Sequence, residues 1–541
     1  MRTMIQLLLL LLVLFGPALV RADDDEGGGE EADPPEVAIG ERLFLETRFS
    51  QFFQAHSGGD ANAVLAQGDP VMGALQTIVG PIPGPFAGGG MNCRACHLVD
   101  DAKDIPRGGN RSYADFARRS PIPEREDGRS VTPRNSPPLV NSALARGIPF
   151  FLHFDGEFPS TAGLAEGTLT GRNFGWLPSE HAQAVAHIAS VIRGDDGTGA
   201  LAAGAGGSYR RVLAGTDPTI PKDFRLPRRF RVDVDRAGDE QILRAVSRLI
   251  AAYVDSLEFE NSSPYDRFLE TNGLPTEPRE FESPVDYVKR LKFVLGEHGD
   301  PEMVTDADGA FQLHRQPFVF GETELAGLRI FLDRTRGNCV ACHPPPHFTD
   351  FRFHNTGVAQ EDYDAVHGAG SFAALAIPGV AARRADPDAF LPATPLHPAA
   401  LEPFRSVPAA DAPERTDLGV WNLLLNPDYP KRAYQHHLER MVCVSQGPLG
   451  RCRRLPDALL SASIGLFKTP GLRDLGHSQP YLHTGSKDTL EDVVRFYVTV
   501  SGLGRTAQLR NGAPELSAMH ISESDVAPLA AFLRALNEDY E

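Results

Sequence analysis

Four of the six cysteines fall in two pentads of one spacing, Cys93-Arg94-Ala95-Cys96-His97 and Cys339-Val340-Ala341-Cys342-His343. Two thiols three positions apart, followed at once by an imidazole, are the signal for c-type haem attachment. Each thiol can add to one vinyl group of a porphyrin, and the adjacent histidine then reaches the iron from the proximal side. A zinc site or a redox dithiol is the competing chemistry. One such pentad can arise by chance in a chain of this length, and two are far rarer. The expectation is two covalently bound haem c groups, one on Cys93, Cys96 and His97 and one on Cys339, Cys342 and His343, with both histidines as iron ligands.

This chemistry belongs outside the cytoplasm, and the N-terminus agrees. Met1 to Ala22 has an early Arg2, a leucine-rich run from Ile5 to Val20, and the small-residue pattern Val20-Arg21-Ala22. That is a secretory signal rather than a membrane anchor, because Asp23, Asp24 and Asp25 follow the short run directly. No later stretch is long and apolar enough to span a bilayer, so the expected location is the periplasm. Removing residues 1–22 takes away Arg2 and Arg21 and no acid, so the net charge of −18 becomes −20. A surface of that sign argues against nucleic acid and suits a small basic electron carrier. The remaining cysteines, Cys443 and Cys452, have eight residues between them in a Gly- and Pro-containing loop, and in an oxidising compartment a disulfide between them is predicted.

The elements that must position the pentads occur twice. Gly40-Glu41-Arg42-Leu43-Phe44-Leu45-Glu46 matches Gly327-Leu328-Arg329-Ile330-Phe331-Leu332-Asp333, each upstream of a pentad. Ile250 to Leu257 matches Leu529 to Leu536, each with apolar residues at three- and four-residue steps. Asp239 and Ser522 are plausible N-caps for these closing helices. The fold expected is mainly α, with two tandem cytochrome c-like domains and long loop insertions. The boundaries read as 1–22 signal peptide, 23–36 acidic disordered linker and 37–260 N-terminal haem domain. Residues 261–318 read as a connector and 319–541 as the C-terminal haem domain. Phe49 to Gly90 and residues 358–460 read as Gly-, Ala- and Pro-punctuated insertions covering the haems.

Phe467-Lys468-Thr469-Pro470-Gly471-Leu472-Arg473-Asp474 leads into Pro480-Tyr481-Leu482-His483-Thr484-Gly485, and then into Thr489 to Tyr497. With Arg134-Asn135-Ser136-Pro137-Pro138-Leu139-Val140-Asn141 and Asp155-Gly156, this resembles the bacterial di-haem cytochrome c peroxidase superfamily, which includes the MauG-like enzymes. The resemblance implies reduction of hydrogen peroxide at the N-terminal haem and storage or transfer of oxidising equivalents at the C-terminal haem. The electron donor would be a small cytochrome c or cupredoxin. In the MauG-like branch the enzyme oxidises side chains of a partner protein instead. The resemblance also implies one calcium ion, on the Asn135 side chain and the carbonyls of Ser478 and Pro480.

The family's distal ligand at the C-terminal haem falls on Tyr497, where peroxidase members carry methionine and MauG-like members tyrosine. A phenolate favours ferric and higher-valent iron. The peroxidase members also cap the N-terminal iron with a histidine on the loop after the pentad, but Leu98 to Thr132 contains neither histidine nor methionine. An open, five-coordinate haem on His97 is the implication. The family's tryptophan between the haems is Phe154 here, and its distal glutamate falls near Trp176. Glu166, Arg172 and Glu180 are the candidates for acid–base help or for polarising peroxide, and Trp176 is a candidate redox residue. A pure electron-transfer cytochrome is the reading from another class, and the missing distal histidine argues against it.

Mature protein made with c-type maturation machinery should carry two haems that survive acid–acetone extraction. The Cys339→Ala/Cys342→Ala variant should retain one. Free extraction of haem from the wild type would overturn the reading of both pentads.

Overall fold

The computed structural model describes residues 33–77, 80–83, 87–97, 119–144, 146–312, 314–429, 432–446 and 455–539. The signal sequence, most of the acidic segment, residues 98–118 and Cys452 lie outside them. The chain is mainly helical. Its described sheets are two antiparallel pairs, Ala74–Thr77 with Gly80–Pro83 and Phe353–His354 with Phe467–Lys468. Among the described residues no helix is long and apolar enough to cross a membrane.

Both repeated pairs are helices, and each pair packs together. In the N-terminal half, Pro35–Phe44 opens and Asp239–Ser256 closes. The closing helix buries Ile242, Val246, Leu249, Ile250 and Tyr253 at helical spacing, against Ile39, Leu43 and Phe44 of the opener. In the C-terminal half, Glu322–Leu332 packs on Val526–Arg534 through Leu325, Leu328, Phe331, Leu529 and Phe532. The first residue of each matched heptad explains the closeness. A Cβ on Gly40 would lie 2.1 Å from the Leu249 carbonyl oxygen, and one on Gly327 would lie 2.0 Å from that of Pro528. Only glycine lets these backbones cross at that distance.

The caps differ from expectation. The first closing helix begins at Asp239 itself and is capped by Gly238, whose N–H donates to the Gln241 side chain at 3.0 Å. The Asp239 carboxylate pairs with Arg193 at 2.6 Å instead. Ser522 caps a 3-10 turn, Glu523–Asp525, that feeds the second closing helix.

Two segments read as loops or linkers are built differently. The connector carries helices Pro264–Thr271 and Pro284–Glu297, and Tyr265, Phe268, Leu269 and Leu291 sit inside the C-terminal core. The 358–460 excursion holds helices Val358–His367, Arg432–Ser445 and Pro456–Ala462 around apolar clusters of its own. Trp421 is wholly buried there, with Phe404 against its edge at 4.9 Å and the Arg383 guanidinium 4.3 Å over its ring. Val420, Trp421, Leu423 and Leu424 are nearly contiguous rather than periodic, so no helix or strand pattern announced this core. Cys443 is buried in the same region and is disulfide-bonded.

Gly327→Ala should destabilise the C-terminal half by about 1–3 kcal/mol, because a backbone carbonyl rather than a flexible side chain meets the new methyl. Gly296→Ala meets no atom within 4 Å and serves as the control. Calorimetry that finds equal melting temperatures for the two would reject the close crossing.

Candidate haem sites and the contact between the halves

Each pentad forms a short 3-10 turn, Cys93–Ala95 and Cys339–Ala341, preceded by an asparagine. The Asn92 side chain accepts the Ala95 N–H at 3.1 Å and donates to the Leu45 carbonyl at 2.9 Å, tying the turn to the end of the opening helix. Asn338 adopts a left-handed backbone, φ 49°, and its amide donates to the Glu515 carbonyl at 2.9 Å. Asparagine tolerates that conformation better than most residues. The shared asparagine is a signal that sequence reasoning passed over, and the two copies perform different local tasks.

The residues present fit a covalently held porphyrin. Burial pushes the Cys93, Cys96 and Cys339 thiols up to about 12 and raises Cys342 too, so the two pairs are neutral, half-buried and joined in no disulfide. Cys96 is held by the Ser136 hydroxyl, which bonds Ser120 at 2.6 Å. His343 Nδ1 lies 2.8 Å from the Phe348 carbonyl, and Phe348 is wholly buried among Tyr265, Phe331 and Phe532. An Nδ1–H donated to that carbonyl leaves the Nε2 lone pair for a metal and fixes the ring's orientation. Burial lowers the His343 pKa, which keeps the ring neutral, as a ligand must be. His354 is a further residue the sequence did not single out. It lies beside Cys342, held by Asp350 at 2.9 Å. Burial opposes its charge, yet Asp350, Cys342 and Glu515 push it up to about 12, and a thioether would remove the Cys342 share.

Tyr497 stands on helix Leu490–Arg505, half-buried against the C-terminal core and edge-on to Phe496 at 5.3 Å. Burial raises its phenol pKa, and the neighbouring Cys342 and Cys339 thiols add to the effect. The tyrosine therefore shares the electrostatic surroundings of the second pentad. Met519 is buried in the same core, and Met441 lies in the 358–460 excursion.

The four candidates for the first haem's distal side do not share one pocket. Glu166, on helix Thr161–Leu169, lines an open cavity of about 760 Å³ whose walls include none of the other three. Trp176 is fully buried in the first core, with its indole N–H on the Phe49 carbonyl at 3.3 Å. Arg172 and Glu180 latch the turn at residues 125–129. Arg172 Nε and one NH₂ group donate to Asp127 at 2.6 and 2.9 Å, and Arg125 grips both Glu180 oxygens at 2.8 Å. The Arg125 bond holds the Glu180 carboxyl below the usual range, which disfavours it as a proton donor. Arg172 keeps one buried NH₂ group with no partner among the described residues.

Between the halves lies a buried charge network. Arg134 donates from Nε and one NH₂ group to Asp417, at 2.6 and 2.9 Å, and its other NH₂ group pairs with Asp155 at 2.6 Å. Arg405 and Tyr429 hold Glu157, which also meets His153 Nδ1 at 3.2 Å. The Lys468 N–H donates to the Phe154 carbonyl at 2.7 Å. His483 stacks on Phe467 at 3.7 Å, and its Nε2 has no hydrogen-bond partner among the described residues. Burial pushes its pKa down to about 3, so the ring is neutral. Two bonds from Asn135 close the contact, its N–H to the His483 carbonyl and its side-chain amide to the Pro480 carbonyl, each 2.6 Å.

Comparison with known proteins follows the same line. No family model matches the chain. A cytochrome-c peroxidase, IdrP2, of Pseudomonas sp. (strain SCT) is 40% identical over 76 residues, 14% of this chain and 18% of that protein. The IdrP1 cytochrome-c peroxidase of Denitromonas iodatirespirans is 36% identical over 76 residues, with the same coverage. The resemblance is to cytochrome-c peroxidases. The chain thus spans about a fifth of the length of the relatives it matches. Among solved structures, the di-haem peroxidase BthA from Burkholderia thailandensis E264 superposes with a TM-score of 0.45. It is 18% identical, over 94% of this chain and 87% of that one. A MauG-like protein associated with microbial copper homeostasis superposes with a TM-score of 0.41 and 16% identity, over 94% and 91%.

Arg134→Met should destabilise the protein by about 3–5 kcal/mol at pH 7, because it strands a buried carboxylate. Burial alone would raise the Asp417 pKa, but Arg134 draws it below the usual range. In the wild type the Asp417 contribution is therefore present above about pH 4 and is lost as pH falls through the lower folded value. Without Arg134 the carboxyl rises above its unfolded value, and the sign reverses. The gap in melting temperature between variant and wild type should narrow from pH 7 to pH 5. A gap that stays constant would reject the pairing.

Proposed function

We propose that the chain is a di-haem c-type peroxidase that reduces hydrogen peroxide at the N-terminal haem and stores or passes oxidising equivalents at the C-terminal haem. The observation that carries the reading is the pair of pentads on matching 3-10 turns, with His343 Nδ1 held by the Phe348 carbonyl so that Nε2 is left for an iron. Cys93 and Cys96 would hold one haem and Cys339 and Cys342 the other, through thioethers, with His97 and His343 as proximal ligands. Bound haem iron supplies the redox chemistry that cleaves the O–O bond of peroxide. The chain's own residues set the conditions for it. The Phe348 carbonyl orients His343. Arg172, with a buried NH₂ group still free, is the candidate for polarising peroxide ahead of Glu180, whose carboxylate is committed to Arg125. Residues 37–260 and 319–541 would be the two haem domains of a periplasmic protein released from its signal at Ala22. The mature charge of −20 suits a small basic electron donor, a cytochrome c or a cupredoxin.

A calcium ion would sit between the halves on Asn135, Ser478 and Pro480. Asn135 already touches the Pro480 carbonyl. Turning its amide over would place two oxygens side by side for a hard cation, at the loss of the bond that Oδ1 accepts from the Ser136 N–H.

A second reading, oxidation of side chains on a partner protein in the MauG-like manner, is favoured by Tyr497 at the distal position. The lack of histidine and methionine from residue 98 to residue 132 favours it too. With no histidine or methionine from residue 98 to residue 132 to cap it, the N-terminal iron would be open in the all-ferric protein on either reading. One equivalent of hydrogen peroxide should then bleach or shift the high-spin haem band within the stopped-flow window, and one-electron pre-reduction should not accelerate that step. Electron paramagnetic resonance of the ferric protein should show one high-spin and one low-spin signal, and Tyr497→Phe should change the low-spin signal alone. Ferric protein that stays inert until half-reduced would overturn the open-haem assignment. A low-spin signal indifferent to Tyr497→Phe would remove the tyrosine from the iron.

A further inference from the structure

His314, Asp474 and His477 meet inside the C-terminal half. Their side chains are 5%, 0% and 3% exposed. His314 Nε2 lies 2.7 Å from Asp474 Oδ1, and His477 Nδ1 lies 3.1 Å from Asp474 Oδ2. One potential ligand atom from each falls within 4.8 Å of the others. The two imidazoles stack at 3.8 Å, so both present nitrogen to one carboxylate from the same side. The Glu538 carbonyl oxygen lies 3.4 Å from His314 Nε2.

The backbone is arranged to hold this cluster. Asp474 adopts a left-handed conformation, φ 55°, at the head of the turn Leu475–His477, and its N–H donates to the Leu536 carbonyl at 3.1 Å. A Cβ on Gly476 would lie 2.8 Å from the His314 ring, so the imidazole packs directly over that backbone. The Phe311 ring closes on His314 at 4.9 Å.

The surrounding charge is short of cations. Asp474, Asp266 and Glu538 are buried carboxylates, and Arg473 is the buried guanidinium that pairs with two of them. Arg473 meets Asp266 at 2.7 and 3.0 Å and Glu538 at 3.1 Å. The side-chain partners of the Asp474 carboxylate among the described residues are the two imidazoles, with no guanidinium or ammonium beside them.

We propose that His314, Asp474 and His477 bind one divalent transition ion of the zinc class, with the Glu538 carbonyl as a fourth donor. Two imidazoles and a carboxylate suit zinc, whereas calcium takes oxygen ligands. A neutral imidazole has one bare nitrogen, and a change of tautomer turns the lone pairs of His314 Nε2 and His477 Nδ1 toward the ion without loss of a proton. The ion clamps the connector that carries His314 onto the turn that carries Asp474 and His477.

The test uses tag-free, chelator-treated protein with both haems attached, so that the pentad thiols are consumed, and with calcium in excess to fill any oxygen-only site. Calorimetric titration with zinc chloride should show one zinc per chain. His477→Ala and His314→Gln should each weaken binding at least tenfold, with the haem absorbance confirming that each variant folds. The zinc K-edge spectrum of the loaded wild type should show imidazole scattering, a readout that needs no variant. Absence of stoichiometric zinc, binding undiminished in both variants, or a zinc spectrum without imidazole would each overturn the site.

Discussion

The close crossing of opening and closing helices is the constraint on which the rest of each half depends. At Gly40 and Gly327 the two backbones meet at distances that exclude even a methyl group. That contact sets where the opening helix ends, and each pentad is fastened to that end. In the N-terminal half the anchor is the Asn92 bond to the Leu45 carbonyl. In the C-terminal half Gly337 folds back so that a Cβ there would lie 2.2 Å from the Ile330 carbonyl oxygen. Moving either crossing by one side-chain layer would carry the two thiols and the histidine with it. The repeated glycines therefore position the two thiols and the histidine of each pentad as well as packing the helices.

The helix crossings build each half, and buried charge joins the halves. Arg134 is central, because it contributes its guanidinium to one carboxylate from the N-terminal half and another from the 358–460 excursion. Such a pair adds little net stability compared with a well-packed apolar alternative, and removing one partner is expensive. Its effect is on geometry. It fixes the excursion against the Asp155-Gly156 turn, close to Phe154 and His483. The Phe154 and His483 rings lie 6.1 Å apart at this contact.

The legible and illegible parts of this structure divide along physical lines. The opening and closing helices were readable because their apolar residues recur at helical spacing, and because the same residues occur twice. The pentads stood out because their residues are contiguous and identically spaced, and both form the same 3-10 turn. The 358–460 core was not, since Val420, Trp421 and their neighbours bury through tertiary contact without local period. Arg172 and Glu180 looked like free chemical groups in the sequence. Their partners, Asp127 and Arg125, stand 45 and 55 residues away, and no local rule connects them. His314 was unreadable for the same reason, at 160 residues from Asp474. The asparagine before each pentad was visible and went unused, because the two copies need asparagine for different reasons.

Residues 470–483 show why these features should not be treated as separate. The Pro470 carbonyl faces the proximal histidine of the second pentad. Arg473 donates to the Pro346 carbonyl at 3.0 Å and grips Asp266 of the connector. Asp474 holds the two imidazoles. The carbonyls of Pro480 and His483 receive both bonds from Asn135 of the other half. One short run of backbone thus touches His343, the connector and the contact between the halves. A run so restrained cannot shift at one end without straining the other, because each bond is short and most of its partners are buried. Occupancy of the histidine cluster, the pose of His343 and the spacing of the two halves are mechanically linked through it. An ion at either end would act on the whole.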